Sequence, residues 1–196
     1  MKLVVGISGA TGAPYAKRLL DFLAAEGAAH GVTADLVFTE TGKQVWNAEI
    51  GAEPSYPFRV WKPYDFTAPF ASGSALYDAM VVVPCSAGCL SRIAYGVSYD
   101  LVGRAADVML KERRRLVLCL RETPLSLVHA RAIAAVTEAG AVVLPASPSF
   151  YSRPKTIDAL VDTVVARLLD RIGIPNALMA RWEGLAPRAK APPRED

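Results

Sequence analysis

Histidine and cysteine are scarce in this chain, which has two of the first, His30 and His129, and three of the second, Cys85, Cys89 and Cys119. Cys85 and Cys89 lack the second cysteine or histidine pair that a tetrahedral zinc site needs, so no metal centre is expected. Neither histidine lies near a G-x-S-x-G nucleophile elbow, which removes triad hydrolysis from consideration. An odd cysteine count in apolar settings, with no charged, apolar and cleavable leader, points to a reducing cytoplasm. No apolar run approaches the length that spans a bilayer, although 52% of the 196 residues are hydrophobic. The expectation is therefore no membrane partner, with the surplus apolar surface lying between subunits. A formal charge of +3, with basic residues scattered or gathered at Lys111–Arg115 without interleaved aromatics, argues against nucleic acid. No break in composition divides the chain. One domain is expected over residues 1–183, followed by a proline-rich, charged and mobile tail at 184–196.

What is present is an alternation. Apolar, mostly β-branched runs at Leu3–Ile7, Leu36–Phe38, Ala79–Val83, Leu116–Leu120 and Ala141–Leu144 read as strands buried on both faces. Three-to-four spacing predicts helices over Tyr15–Ala25, Thr41–Ile50, Leu101–Lys111, Leu125–Ala139 and Thr156–Ile172. The expected fold class is α/β: a three-layer α/β/α sandwich around a parallel, Rossmann-like (flavodoxin-like) sheet. In the last helix Ile157, Val161, Val164, Val165, Leu168 and Ile172 are expected to face inward, with Arg167 at the margin of their stripe. The prolines and aromatics of Glu53–Ser74, ending in Ala71-Ser-Gly-Ser74, predict a long functional loop.

The chemistry gathers at strand ends. Gly6-Ile-Ser-Gly-Ala-Thr-Gly12 follows the first strand, and its glycines let backbone approach a ligand while the amides and hydroxyls of Ser8 and Thr11 face an anion at a helix N-terminus. The spacing is not G-x-G-x-x-G, so a mononucleotide suits it better than a dinucleotide. A second strand-to-helix turn, Pro84-Cys-Ser-Ala-Gly-Cys-Leu-Ser91, exposes amides and the Ser86 hydroxyl at the same sheet edge, so that Thr11 and Ser86 face one ligand. Cys85 and Cys89 in it serve simply as packing. Cations and hydroxyls fit for a second phosphate occur at Arg104 and Lys111, Arg121-Glu122, Phe150-Tyr151, Arg167 and Arg181-Trp182. Spacing alone supports equally well a surface ion pair of Arg104 or Lys111 with Asp107 or Glu112. Arg113, Arg114 and Arg115 read as a solvated run.

Five motifs in order carry a resemblance: Gly6–Gly12, Pro84-Cys-Ser86, Arg104-Ala-Ala-Asp-Val-Met-Leu-Lys-Glu-Arg-Arg114, Leu116-Val-Leu-Cys-Leu-Arg-Glu-Thr-Pro-Leu125 and Phe150-Tyr151. Together the sequence resembles the UbiX family of flavin prenyltransferases over nearly all of the chain before the tail. The resemblance implies a cytoplasmic homododecamer that binds FMN, takes dimethylallyl monophosphate, joins the dimethylallyl group to N5 and C6 of reduced FMN, and passes prenylated FMN to a UbiD-type decarboxylase. It implies flavin contacts at Gly9, Ala10, Thr11, Thr39, Ser86, Ala87, Gly88, Cys89 and Arg121. Prenyl-phosphate contacts fall on Ser72, Gly73, Arg104, Lys111, Tyr151, Arg167 and Trp182, with some of these reaching a neighbour's flavin. Glu49 and Glu122 correspond to the acids that manage protons, with Lys111 beside them; a carboxylate next to Arg121 serves equally as a positional ion pair. Three positions depart from the family pattern: Cys89 where threonine is common, Thr11 for serine, and Phe66 where some members carry tryptophan. A flavin-dependent cysteine decarboxylase would need a catalytic histidine that has no candidate here. A non-catalytic FMN-binding accessory subunit would not need Lys111, Tyr151 and Arg167.

Overall fold

The computed structural model describes residues 1–182 and 184. Six parallel strands form one sheet: β1 (Lys2–Ile7), β2 (Thr33–Phe38), β3 (Arg59–Trp61), β4 (Ala79–Cys85), β5 (Arg115–Leu120) and β6 (Val142–Pro145), in the order β3-β2-β1-β4-β5-β6. Leu3 lies between Ala34 of β2 and Ala79 of β4, and Ala79 in turn pairs Arg115 of β5. The chain thus winds outward in one direction from β1 and in the other from β4. That reversal opens a crevice at the carboxyl ends of the two central strands, where doubly wound folds bind ligands.

Helices α1 (Ala13–Glu26), α2 (Glu40–Ile50), α3 (Ala87–Ala94), α4 (Leu101–Lys111), α5 (Leu127–Glu138) and α6 (Ile157–Ile172) cover the sheet. One face packs Leu3, Val5, Ile7, Val81 and Val83 against Leu19, Leu20 and Leu23 of α1, Trp46 of α2 and Val164, Val165 and Leu168 of α6. The other packs Val4, Met80, Val82, Leu116 and Leu118 against Leu90 of α3, Val102 and Met109 of α4 and Val136 of α5. Side chains alternate between faces along each strand, which is why the central strands read as continuous apolar runs.

The expected sandwich is present, with three local differences. The Glu53–Ser74 stretch is not all loop: Arg59–Trp61 pairs with Asp35–Val37 as an edge strand, and 3₁₀ turns occupy Pro69–Ala71 and Gly73–Ala75. Three residues flanked by Pro57 and Pro63 are too short for a pattern. Tertiary bonds hold them instead, with Trp61 Nε1 donating to Asp35 Oδ1 at 2.7 Å and the Arg59 guanidinium stacked 3.5 Å from the Trp61 ring. In this single chain β6 is an edge strand whose residues are half-buried or exposed, not covered on both faces. Ile157 is 78% exposed, because the first turn of α6 overhangs the sheet and its stripe has nothing to pack on there. The Ser86 turn leads from strand to helix as expected, opening α3. The tail expected to be mobile lies, apart from Gly184, outside the described residues.

Candidate active site

Three helices begin at the carboxyl edge of the sheet around the crevice; two satisfy their N-terminal donors with an N-cap hydroxyl and the third with a remote carboxylate. Thr39 caps α2 by accepting from the Gly42 amide at 2.9 Å, and Ser86 caps α3 by accepting from Cys89 N at 3.2 Å. α1 has Gly12 at its N-cap, with φ of 114°, a conformation open to glycine, and no capping side chain of its own. Glu49, from the last turn of α2, fills the role. Its Oε2 accepts from Gly12 N at 2.9 Å and Ala13 N at 2.8 Å. A carboxylate thus sits where the helix dipole favours negative charge.

Ser8 ties the two glycine turns together and does not face the ligand as expected. It is 2% exposed; its Oγ donates to Pro84 O at 2.9 Å and accepts from Ser86 N at 2.8 Å. Its neighbour Gly9 must be glycine, since a Cβ there would overlap the Thr41 side chain. The exposed edge of the crevice is left to Thr11, Ser86 and Gly88. The amides of Thr11, Ala87 and Gly88 donate to no protein acceptor among the described residues. A Cβ built on Gly88 would meet only Arg92 Nη1 at 3.7 Å, so the space over that amide is open.

Arg121 closes the far side. Its amide donates to Cys85 O at 2.9 Å, and its half-buried guanidinium has no carboxylate partner among the described residues. Burial pushes the nearby Tyr15 phenol up, with Cys119 adding to the rise and the Arg121 charge opposing it. Glu122 does not pair with Arg121: it is exposed, and its Oε1 accepts from the Thr123 amide at 3.1 Å. Arg121, Glu122, Leu125, Ile133, Val143 and Ala146 line a cavity of about 620 Å³ that adjoins the crevice without covering the β1 and β4 turns. The Cys85 and Cys119 thiols stay protonated at neutral pH. A hydrogen bond from the Cys85 thiol to Cys89 and then burial push Cys85 well up, and burial pushes Cys119 up to about 12.

Open amides at helix N-termini, hydroxyls at Thr11, Thr39 and Ser86, and an unpaired guanidinium are a donor set for a phosphorylated, acceptor-rich planar ligand such as FMN. The other cations assigned from sequence lie elsewhere on the chain, in two separate patches. Arg104 is tied to Ala71 O at 3.0 Å and to Asp107 at 2.9 Å, and Lys111 pairs with Glu112, so both surface ion pairs left open by spacing are formed. Ser72 and Gly73 join this patch, with Gly73 O accepting from Arg114 Nη2 at 2.5 Å. Arg114 is therefore no part of a solvated run. Its side chain is 15% exposed. Lys111 closes α4 just before β5 begins, at the amino edge of the sheet, about 20 Å of strand away from the crevice.

The second patch is on the opposite face, where α6 packs over β4 and β5. Tyr151 and Trp182 meet edge to face with centroids 5.4 Å apart, and Arg167 Nε lies 3.9 Å from Asp170 Oδ2. Arg167 is ten residues into α6, about 15 Å from its carboxyl-edge end. A single chain therefore holds Lys111 and Arg167 apart from the flavin-type donors and from each other, while Arg104 stands in the first turn of α4. Sequence reasoning missed Asp170, whose partners follow the helix in a segment without periodic pattern, and Arg114, whose partner Gly73 is 41 residues away.

A family model described as Flavoprotein matches residues 1–169. The flavin prenyltransferase UbiX of Thermoplasma acidophilum is 45% identical over 186 residues, covering 93% of this chain and 100% of that protein. Among solved structures, AnUbiX (PadA1) in complex with FMN and dimethylallyl pyrophosphate superposes with a TM-score of 0.87 at 40% identity, covering 94% of this chain and 98% of the other. The dodecameric FMN-dependent UbiX-like decarboxylase of Escherichia coli O157:H7 gives 0.85 at 40%, covering 94% and 100%. A match of this extent, over a crevice with the donor set just described, places the chain in the UbiX flavin prenyltransferase family of flavoproteins.

Proposed function

We propose that this chain transfers a dimethylallyl group from dimethylallyl monophosphate to N5 and C6 of reduced FMN, in a site completed by neighbouring copies. The observation that carries the reading is the separation just described: open amide donors in one crevice, with Lys111 about 20 Å and Arg167 about 15 Å from the sheet's carboxyl edge on opposite faces. Closed symmetry in a homo-oligomer brings unlike patches of identical chains together. Exposed Tyr95, Val97, Tyr99, Leu125, Leu127, Val128, Phe150 and Ile157 supply apolar surface for such contacts. A dodecamer is the assembly of the E. coli relative, and we assign the same here.

When bound, reduced FMN supplies the nucleophilic N5 and C6 atoms. Gly9, Ala10, Thr11, Thr39, Ser86, Ala87, Gly88, Cys89 and Arg121 hold and orient it within one chain. Arg104 and Lys111 from one neighbour, with Ser72 and Gly73, and Tyr151, Arg167 and Trp182 from another enclose the donor's phosphate. As the carbon–oxygen bond breaks, its electron pair passes to the phosphate oxygen, and cationic donors fixed beforehand stabilise that growing charge. Glu49 and Glu122 move protons. Two amides hold Glu49 Oε2, which leaves Oε1 to accept a proton, and Thr123 N orients Glu122 in the same manner.

Cysteine decarboxylase chemistry has no support at the crevice. His129 Nδ1 accepts from Ser126 N in the capping box of α5, and His30 stacks on Phe22. We assign the product to a UbiD-type decarboxylase and the chain to the cytoplasm; among the described residues no helix is long and apolar enough to cross a membrane. Purified protein incubated with reduced FMN and dimethylallyl monophosphate should yield, after denaturation, a released flavin heavier by one dimethylallyl unit. Unchanged FMN would refute the reading.

A further inference from the structure

We propose that Asp170 is a positioning residue for donor binding: it latches the segment 174–182 onto α6 through Arg181 and so sets Trp182 against Tyr151 beside Arg167. The inference rests on the assignment of Tyr151 and Arg167 to the donor's phosphate. After α6 the chain reverses at Gly173, with φ of 82°, and runs back along the helix. Its return is fixed at one carboxylate. Asp170 Oδ2 accepts from Arg181 Nη1 at 2.6 Å, and Oδ1 accepts from Arg181 Nη2 at 3.0 Å and Asn176 Nδ2 at 3.1 Å. Arg181 Nη2 also donates to Asn176 O at 3.0 Å, and Asn176 Nδ2 to Ala166 O at 3.3 Å, which closes the strap on the helix. A two-pronged guanidinium–carboxylate pair fixes orientation as well as distance.

The residue after Arg181 is Trp182, whose ring lies edge-on to Tyr151. Both rings are half-exposed, at 58% and 53%, so no core packing fixes them, and the latch is what holds the tryptophan in place. Arg167 Nε stands 3.9 Å from Asp170 Oδ2, close enough for attraction and outside hydrogen-bond reach. Its donors stay available for phosphate. Asp170 therefore has two opposed effects: its charge weakens anion binding at Arg167, while its latch assembles the aromatic wall. Arg181 cancels much of the first effect, so the second governs.

The test measures affinity for dimethylallyl monophosphate by calorimetry on the FMN-loaded oligomer, beside KM and kcat for prenylation. Asp170→Asn should weaken donor binding and raise its KM roughly tenfold, the scale for loosening a positioned contact, with kcat within a few-fold and FMN affinity unchanged. Arg181→Ala should do the same, and the double variant should be no worse than either single one. Asp170→Glu should recover part of the loss, and Arg181→Lys, which keeps charge without the two-pronged geometry, should recover less. Donor binding equal to or tighter than wild type in Asp170→Asn would overturn the latch, as would independent, additive losses in the double variant. If the wild type binds donor but makes no prenylated flavin, the functional reading fails, and the calorimetric comparison still decides the latch.

Discussion

Replacing Ser8 with alanine tests how the two glycine turns are held in register. The hydroxyl makes two buried hydrogen bonds, to Pro84 O and from Ser86 N, and alanine fills nearly the same space, so no cavity term enters. Pro84 O keeps the Ser8 amide at 3.2 Å and is not orphaned. Ser86 N loses its acceptor, and a partly buried amide without a partner costs ~1–3 kcal/mol. The expected loss is about 2 kcal/mol, read as a lower urea midpoint by far-UV circular dichroism at fixed protein concentration. Because Ser86 begins α3 and borders the open amides, FMN affinity should fall as well, by roughly tenfold if the turn gives up ~1.4 kcal/mol of preorganisation. An unchanged midpoint together with unchanged FMN affinity would show that Ser8 does not fix the crevice.

Three further outcomes are expected. Arg167→Ala should keep the far-UV spectrum and FMN binding while lowering prenylation by roughly a hundredfold, the scale for losing one preorganised charged donor; wild-type turnover would remove Arg167 from the phosphate site. Native protein should resist thiol alkylation at Cys85 and Cys119, whose thiols stay protonated at neutral pH, and both should label after denaturation; rapid native labelling would contradict their burial. Burial pushes the Asp170 carboxyl up, but the hydrogen bonds and charge of Arg181, helped by Asn176 and the Arg167 charge, outweigh it and hold the group below its usual range. The unfolded form therefore binds the proton more tightly. The latch's contribution is complete above the ordinary aspartate value of about 3.9 and is lost as pH falls through the lower folded one. With Trp46 and Trp61 buried, acrylamide quenching of tryptophan emission should rise only below that range as Trp182 is freed; a rise between pH 5 and 7 would point to another group.

Where local chemistry decides structure, the sequence reads well. α4 is found at Leu101–Lys111 as expected, because Asp100 caps it and its apolar stripe repeats without interruption. The central strands and the two glycine turns are legible for the same reason. β3 is not, since two of its three residues are exposed and its existence depends on pairing with β2. At the site, the glycine turn signals an anion-binding edge, but nothing in Gly6–Gly12 tells that Ser8 turns inward or that a carboxylate 37 residues from Gly12 caps α1. The resemblance names Lys111 and Arg167 without saying that α4 and α6 carry them on opposite faces. Contacts set by topology have no local signature; Asp170 and its strap are close in sequence, 6 and 11 residues from Asn176 and Arg181, but form no periodic pattern that marks them.

The most direct test of a site shared between copies is subunit mixing. Lys111→Ala and Arg167→Ala, each inactive alone, are dissociated, combined in equal amounts and reassembled, and prenylated flavin is quantified by mass. If the two cations reach a flavin from two different neighbours, random reassembly gives about a quarter of the crevices both intact groups, and activity should return to about that fraction of wild type. Mixed oligomers as inactive as their parents would contradict a site built from separate copies.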